Sequence, residues 1–289
     1  MYEWVQSQHE DESALPVTRL CSAFGVSRSG YYDWLRRPEP TQSEEDMEIR
    51  DQIQRIVLEF PGYGYRRVTP ELRRRGYIVA RNRVLEMMRE DNLLCLRKRR
   101  TFRTTDSSHK FPVYPNLAKE MHLTDINRLW VSDITYIRLL REFLYLAVIL
   151  DVFSRKCIGW QLDDRLDTSL TLTALQRALK ARWHPGLEDL VHHSDRGVQY
   201  ASLEYTECLK AHNIAISMSR KAQPLDNPFA ESFIKTLKAE EVYLFEYETR
   251  QEAYTRIPQF IEDVYNRKRL HSSLGYLPPD EFEQQLVSR

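Results

Sequence analysis

Three acidic side chains occur where an acid is either costly or conspicuous. Asp133 falls in the middle of the apolar and aromatic run "LWVSDITYIRL", where a charge is expensive unless it is paired or bound to a metal. Asp195 lies where the strand-like "DLVHHSD" gives way to the loop "RGVQY". Sheets of α/β proteins present functional groups at such carboxyl ends, although simple turn or capping aspartates are common there. Glu231 lies near the start of a helix in "DNPFAESFIKTLKAEE", where the helix dipole alone favours an acid. Considered singly, Asp195 and Glu231 have structural explanations; Asp133 does not. Three carboxylates brought to one place repel each other, and divalent cations resolve that conflict. All-oxygen ligands without a His/Cys cluster favour Mg²⁺, with Mn²⁺ as a substitute, over zinc. Two such ions roughly 3.5 to 4 Å apart would activate an attacking oxygen and stabilise a leaving oxygen in an in-line phosphoryl displacement. Lys235 and Lys238 follow Glu231 at helical spacing, placed to grip DNA phosphates beside the metal. A surface Glu–Lys pair worth roughly a few tenths of a kcal/mol explains that spacing too, but leaves Asp133 unexplained.

These acids need a scaffold that makes them converge. Strand-like runs at 129–139, 143–153 and 157–164 are separated by turns near Arg141-Glu142 and Ser154-Arg155, and predict an antiparallel meander. A helix over 168–183, a strand over 189–195, a helix over 203–213, a strand over 214–219 and the Glu231 helix then alternate. That alternation predicts parallel additions to the same sheet. A last helix is expected over about 251–268, before "HSSLGYLPPDEF". With the first strand central and the fourth parallel beside it, Asp133 and Asp195 converge, and a packed helix brings Glu231 across the gap.

At 289 residues the chain is long enough for two or more compact units. Residues 16–37, "PVTRLCSAFGVSRSGYYDWLRR", read as a helix, a turn through Phe24-Gly25-Val26 and a second helix capped by Ser27. This is either a helix-turn-helix or an ordinary helical hairpin. After the acidic "EPTQSEED", Ile49, Ile53, Ile56, Val57 and Phe60 define the buried stripe of a further helix. Thr69 and Pro70 are expected to open a helix at "ELRRR" that Gly76 closes. Asn82 is expected to cap "RVLEMMRED", with Val84, Leu85 and Met88 inward.

Charge is balanced overall, with 42 Lys and Arg against 42 Asp and Glu, but residues 50–110 carry 16 basic and 7 acidic side chains. Arg73, Arg74, Arg81 and Arg83 belong to this excess, and a face so rich in arginine suits phosphate forks better than solubility requires. The run "RKRR", with Arg97 and Arg99, fits a phosphate contact or a solvated helix end equally well. Residues 101–120 are polar, contain proline and lack a period, as a linker does. The four cysteines are widely spaced and suggest neither a disulfide framework nor a zinc knuckle. No secretory pattern opens the sequence, and the longest apolar run, "FLYLAVIL", is far short of the roughly 20 residues of a membrane span. A soluble intracellular protein is expected.

Asp133 in "WVSDITYI", Asp195 in "HHSDRGVQYAS" and Glu231 in "DNPFAESFIKTLKAE", with 35 residues between the last two acids, resemble the DDE catalytic core of retroviral-type integrases and transposases. With "SMSRK" at 217–221 and "YNRKRLHSSLGYLPP" at 265–279, the chain is most similar to the second-reading-frame (OrfB) transposases of the third insertion-sequence family of bacterial elements. The resemblance spans nearly the whole chain. It implies an α/β fold of RNase H type, a mixed five-stranded sheet with flanking helices preceded by helix-turn-helix DNA-binding segments. The corresponding division is 1–42 for an N-terminal helix-turn-helix, 43–100 for a basic helix-turn-helix-like domain, 101–122 for a linker, and 123–289 for the catalytic core with a helical extension.

The same resemblance implies that Asp133, Asp195 and Glu231 hold two Mg²⁺ ions, and that the protein cleaves element ends and joins the 3′-hydroxyl to target DNA. It makes Lys238 a DNA-end contact, and puts Lys235, Arg196, His193, Asn227, Arg220 and Lys221 among the DNA-contact candidates. His271 also sits in a matching motif. "KAQPLDNPF" departs from the family pattern, which more often has Gly, Cys and Trp before the Asp-Asn pair. Implied partners are double-stranded DNA at the terminal inverted repeats and the target, and a second copy of the chain on that DNA. The product of the upstream reading frame (OrfA) is another, as a partner or a fusion, since this chain has no heptad run. The expected setting is DNA-associated, in the bacterial cytoplasm, with no membrane. The competing readings are a nuclease of the same fold that uses only water, and a catalytically inactive DNA-binding regulator.

Overall fold

The computed structural model describes residues 2–9, 15–36, 44–95, 112–184, 187, 189–220, 223 and 226–287. Arg97, Arg99, Lys221 and much of the expected linker lie outside them. The chain forms two compact units, Met1–Gln52 and Ile53–Arg289. In the first, α1 (Tyr2–His9), α2 (Val17–Ala23) and α3 (Arg28–Leu35) enclose a small core of Val5, Val17, Leu20, Cys21 and Tyr31. The turn between α2 and α3 places Gly25 at φ +64°, a left-handed conformation suited to glycine. Ser27 then caps α3, its Oγ accepting the Gly30 N–H at 3.1 Å.

Helix α4 (Glu44–Glu59) starts just after the boundary expected near residue 43, and the two units divide within it, between Gln52 and Ile53. Its Ile53 and Ile56 are fully buried. Helix α5 (Tyr65–Arg74) starts one turn earlier than expected, after Gly64. Thr69 and Pro70 are therefore interior residues rather than a cap and first turn. Burial of Val68 and Leu72 draws the preceding turn into the helix, and the Thr69 hydroxyl donates back to the Tyr65 carbonyl at 2.8 Å. Gly76, at φ +93°, ends the helix as expected. Helix α6 (Arg81–Glu90) is preceded by Ala80, so Asn82 is not its cap. Met87 joins Val84 and Met88 in the core, whereas Leu85 is only half-buried.

The second unit is built on one five-stranded sheet in the order β3-β2-β1-β4-β5. Strands β1 (Leu129–Arg138), β2 (Phe143–Asp151) and β3 (Cys157–Asp163) form the antiparallel meander, and β4 (Val191–Ser194) and β5 (Ala215–Met218) add in parallel beside β1. Side chains alternate across the sheet. Trp130, Ala147 and Ile149 pack towards α7 (Thr168–Arg182), α8 (Val198–Ala201) and α9 (Leu203–Ala211). Leu129, Val131, Ile137 and Val148 pack on the other face with α10 (Pro228–Leu237) and α11 (Arg250–Gln259). Gly159 on β3 lies so close to α7 that a Cβ there would collide with the Ala174 carbonyl and Ala178.

A π-helical turn, Lys238–Val242, follows α10, and another, Phe260–Asn266, prolongs α11 to nearly the length expected. Helix α12 (Pro279–Val287) closes the fold within a stretch that carried no helix expectation. Among the described residues no helix is long and apolar enough to cross a membrane, and all four cysteines are free thiols.

Candidate active site

The register of the parallel pair brings the first two acids together. Leu129 pairs with Val191, Trp130 with His192 and Val131 with His193. Continued by two residues, this alignment sets Asp133 on β1 beside Asp195, the residue that follows β4, at a strand spacing of about 4.8 Å. Val131 and Val191 belong to the core shared with α10, so the period of two gives Asp133 and Asp195 the same face. Helix α10 lies on that face through buried Ala230, Phe233 and Leu237, which puts Glu231 at its edge. Pro228 starts the helix with a preset φ. Asn227 ties the helix end to the sheet, its Nδ2 donating to the Ser132 carbonyl at 2.9 Å, one residue from Asp133.

The electrostatics report the same convergence. The Asp133 carboxyl is pushed up to about 7, first by burial and then by the charge of Asp195, with Glu231 adding to the rise. A hydrogen bond from the Ile134 N–H at 2.8 Å and the charge of Lys238 oppose it. Lys238 is half-buried, its Nζ 4.6 Å from the Tyr136 ring centroid. Burial lowers its pKa and Asp133 pulls the other way. Asp195 Oδ1 accepts the Gly197 N–H at 2.9 Å, and Glu231 Oε2 accepts from Lys235 Nζ at 3.1 Å. The donor set is three carboxylates, the chemistry that suits a hard divalent cation. Among the described residues no three His, Cys, Asp or Glu side chains stand close enough to surround one ion. Charge, rather than contact, couples the three acids.

Of the candidate DNA contacts, two have other work. His193 is fully buried, its ring nitrogens 2.8 Å from Ser217 Oγ and 2.9 Å from Ser219 Oγ, so it bridges β4 to β5 and its flank. Burial depresses its pKa. Asn227 is likewise buried, and its bond to Ser132 joins the start of α10 to β1. His271 is buried against Arg269, away from the triad's face of α10. Arg196 is half-buried, with Nε donating to the Ser219 carbonyl at 2.7 Å. Arg220 is exposed and pairs with Asp226 at 3.0 Å. On the basic helices Arg73 and Arg81 are exposed, Arg74 is forked onto Glu281 at 2.7 Å, and Arg83 lies 3.7 Å from Glu86. Tyr136, beneath Lys238, is a component that sequence reasoning missed; nothing local marks it apart from other strand aromatics.

Known proteins share this organisation. The family model of an integrase core domain matches residues 124–224, a second integrase core domain model matches 212–279, and an HTH-like domain model matches 44–101. The Insertion element IS600 uncharacterized 31 kDa protein of Shigella sonnei is 38% identical over 92% of this chain and 98% of its own length. Transposase InsF for insertion sequence IS3A of Escherichia coli (strain K12) is 34% identical over 95% of this chain and 96% of its own. The chain belongs to the IS3-type insertion-sequence transposases. It is a DDE-type transposase with an integrase core, an RNase H-like sheet and a preceding helix-turn-helix-like domain. Among solved structures, the catalytic core domain of BIV integrase aligns over 56% of this chain and 98% of that one, with 18% identity and a TM-score of 0.41.

Proposed function

We propose that Asp133, Asp195 and Glu231 are the catalytic acids of this transposase and together hold two Mg²⁺ ions, for which Mn²⁺ can substitute. The observation that supports this best is the β1–β4 register, which aligns two acids on the face where α10 presents the third. Bound there, the metal would supply the positive charge that eases formation of an oxygen nucleophile and departure of an oxygen leaving group. Asp133, Asp195 and Glu231 would hold the metal in their ionised form, and Lys235, now paired with Glu231, would be free to turn to a phosphate. Water attacks the phosphorus at the element end, and the P–O3′ bond breaks to leave a 3′-hydroxyl. That hydroxyl then attacks a target phosphodiester: one P–O bond forms as the target's P–O3′ bond breaks, so joining needs no outside energy source.

Lys238, beside Asp133, and Arg196 and Arg220, on the rim beyond β4 and β5, are the core's DNA contacts in this reading. Arg73 and Arg81 extend the contact along the basic helices. Residues 1–42 and 43–100 serve end recognition, and two ends require at least two copies on the DNA. The product of the upstream reading frame joins as a partner or a fusion. The enzyme works on DNA in the bacterial cytoplasm. A cleavage assay tests the acids: with Mg²⁺ and a labelled duplex spanning the element end, wild type frees a 3′-hydroxyl at the junction, while Asp133→Asn and Asp195→Asn bind the duplex but leave it whole. Cutting at the wild-type rate by either variant would remove that acid from the site.

A further inference from the structure

A second charged feature lies around α10 from the triad. Its Pro228, Phe229, Ser232 and Thr236 line a cavity of about 330 Å³, on a face roughly 110° round the helix from Glu231, Lys235 and Lys238. The cavity also lies along the sheet from the acids. Asp151 at its edge pairs with Trp130, whereas Asp133 pairs with Val148, a separation of three residues or roughly 10 Å.

Three arginines, Arg67, Arg155 and Arg269, converge on this cavity with His271, Ser272 and Ser273. Two acids are near, and both are engaged. Glu240 forks Arg269 with two bonds of 2.7 Å and lies 3.8 Å from Arg67. Asp151 spends its oxygens on backbone N–H groups of Asn127, Phe153 and Ser154. Three guanidinium charges against two carboxylates leave the cavity positive. His271 registers that potential: burial, then Arg269, Arg67 and Arg155, push its pKa down to about 2, so the imidazole is neutral.

Arg155 is the least satisfied member. It sits at φ +63° in the turn after β2, with its guanidinium carbon 4.0 Å from the Phe229 ring centroid. Its Nη1 is buried and has no hydrogen-bond partner among the described residues. A buried guanidinium N–H without an acceptor is costly, and a planar fork in a positive cavity matches tetrahedral phosphate oxygens. Ser272 and Ser273, both exposed at the mouth, add hydroxyl donors.

We propose that this cavity is a phosphate-binding site separate from the metal site, with Arg155 as the principal donor and Arg67, Ser272 and Ser273 around the bound group. The phosphate is either a diester of the DNA backbone, which rests on the transposase reading above, or a free phosphate, which does not.

The test uses the full chain without divalent metal, in EDTA, so that it does not depend on catalysis. Thermal melts in increasing inorganic phosphate, against chloride at matched ionic strength, should show a saturable rise in Tm for wild type. Arg155→Gln and Ser273→Glu should abolish it; the second alters an exposed position and so spares the fold. Duplex binding measured against salt separates the sources. If the phosphate response is lost and the log–log salt slope of Arg155→Gln falls by about 1, the site takes a DNA phosphate. If the response is lost and the slope is unchanged, the site takes free phosphate. No phosphate-specific rise in wild type, or a wild-type rise in both variants, overturns the proposal.

Discussion

Asp133 carries the sharpest consequence of the site's chemistry. Without metal its folded carboxyl titrates near 7 instead of 3.8, so between those values the native state holds a proton that the unfolded chain has lost. Stability must then fall as pH rises through that window and level off above it, by up to about 4 kcal/mol from this group. Buried His192, lowered to about 3, and His193, also lowered, act oppositely, adding stability as pH climbs to the ordinary histidine range. The comparison with Asp133→Asn isolates the aspartate. In EDTA, the variant's stability relative to wild type should rise from pH 4 to about 7 and level off by pH 8, as read by urea denaturation. A pH-independent difference would mean that neither burial nor the neighbouring acids raise Asp133. This residue was legible in the sequence because an unexplained charge in an apolar strand has few physical excuses. The place of His193 between two serines was not legible, because its motif context says nothing of Ser217 and Ser219.

Among the elements, the tie between α10 and β1 decides whether three acids form one site. Asn227 supplies it through Ser132. Asn227→Ala should cost about 1–3 kcal/mol, the penalty for a buried carbonyl left without its donor. It should also reduce cleavage at least tenfold under conditions where the variant is fully folded. Denaturation and cleavage rates measured together check this, and a stability loss with wild-type cleavage would make Asn227 merely structural. The strands were readable because their apolar runs are short, bounded by turns and centred on the core. The starts of α5 and α6 were not, because burial of Val68, Leu72 and Val84 outweighs the capping preferences of Thr69 and Asn82. The π-helical turns escaped too, since no residue pattern announces a shift from i−4 to i−5 hydrogen bonding.

On the scale of the whole molecule, the basic helices and the catalytic sheet form one unit, Ile53–Arg289. Glu240 in the first π-helical turn joins Arg269 and Arg67, Gly62 packs against its side chain, and the Leu270 N–H donates to Tyr63 Oη at 2.8 Å. Contacts between residues some 200 apart leave no local signature, which is why a linker-separated pair of domains was the natural expectation. Glu240→Ala strands a buried arginine and should destabilise this unit by about 3–5 kcal/mol, with the basic helices and the sheet melting together. Separate transitions seen by thermal denaturation would show that the clamp does not couple them.

Strand joining is the step in which Asp133, Asp195 and Glu231 must act together in a transposase. The measurement is the yield of covalent product between a labelled duplex bearing the cleaved element end and a plasmid target in Mg²⁺, with wild type and Glu231→Gln side by side. Wild type should give joined product and Glu231→Gln none, with duplex binding equal for both. Joining by Glu231→Gln at the wild-type rate, or nicks without any joint from wild type supplied with its upstream-frame partner, would contradict that role.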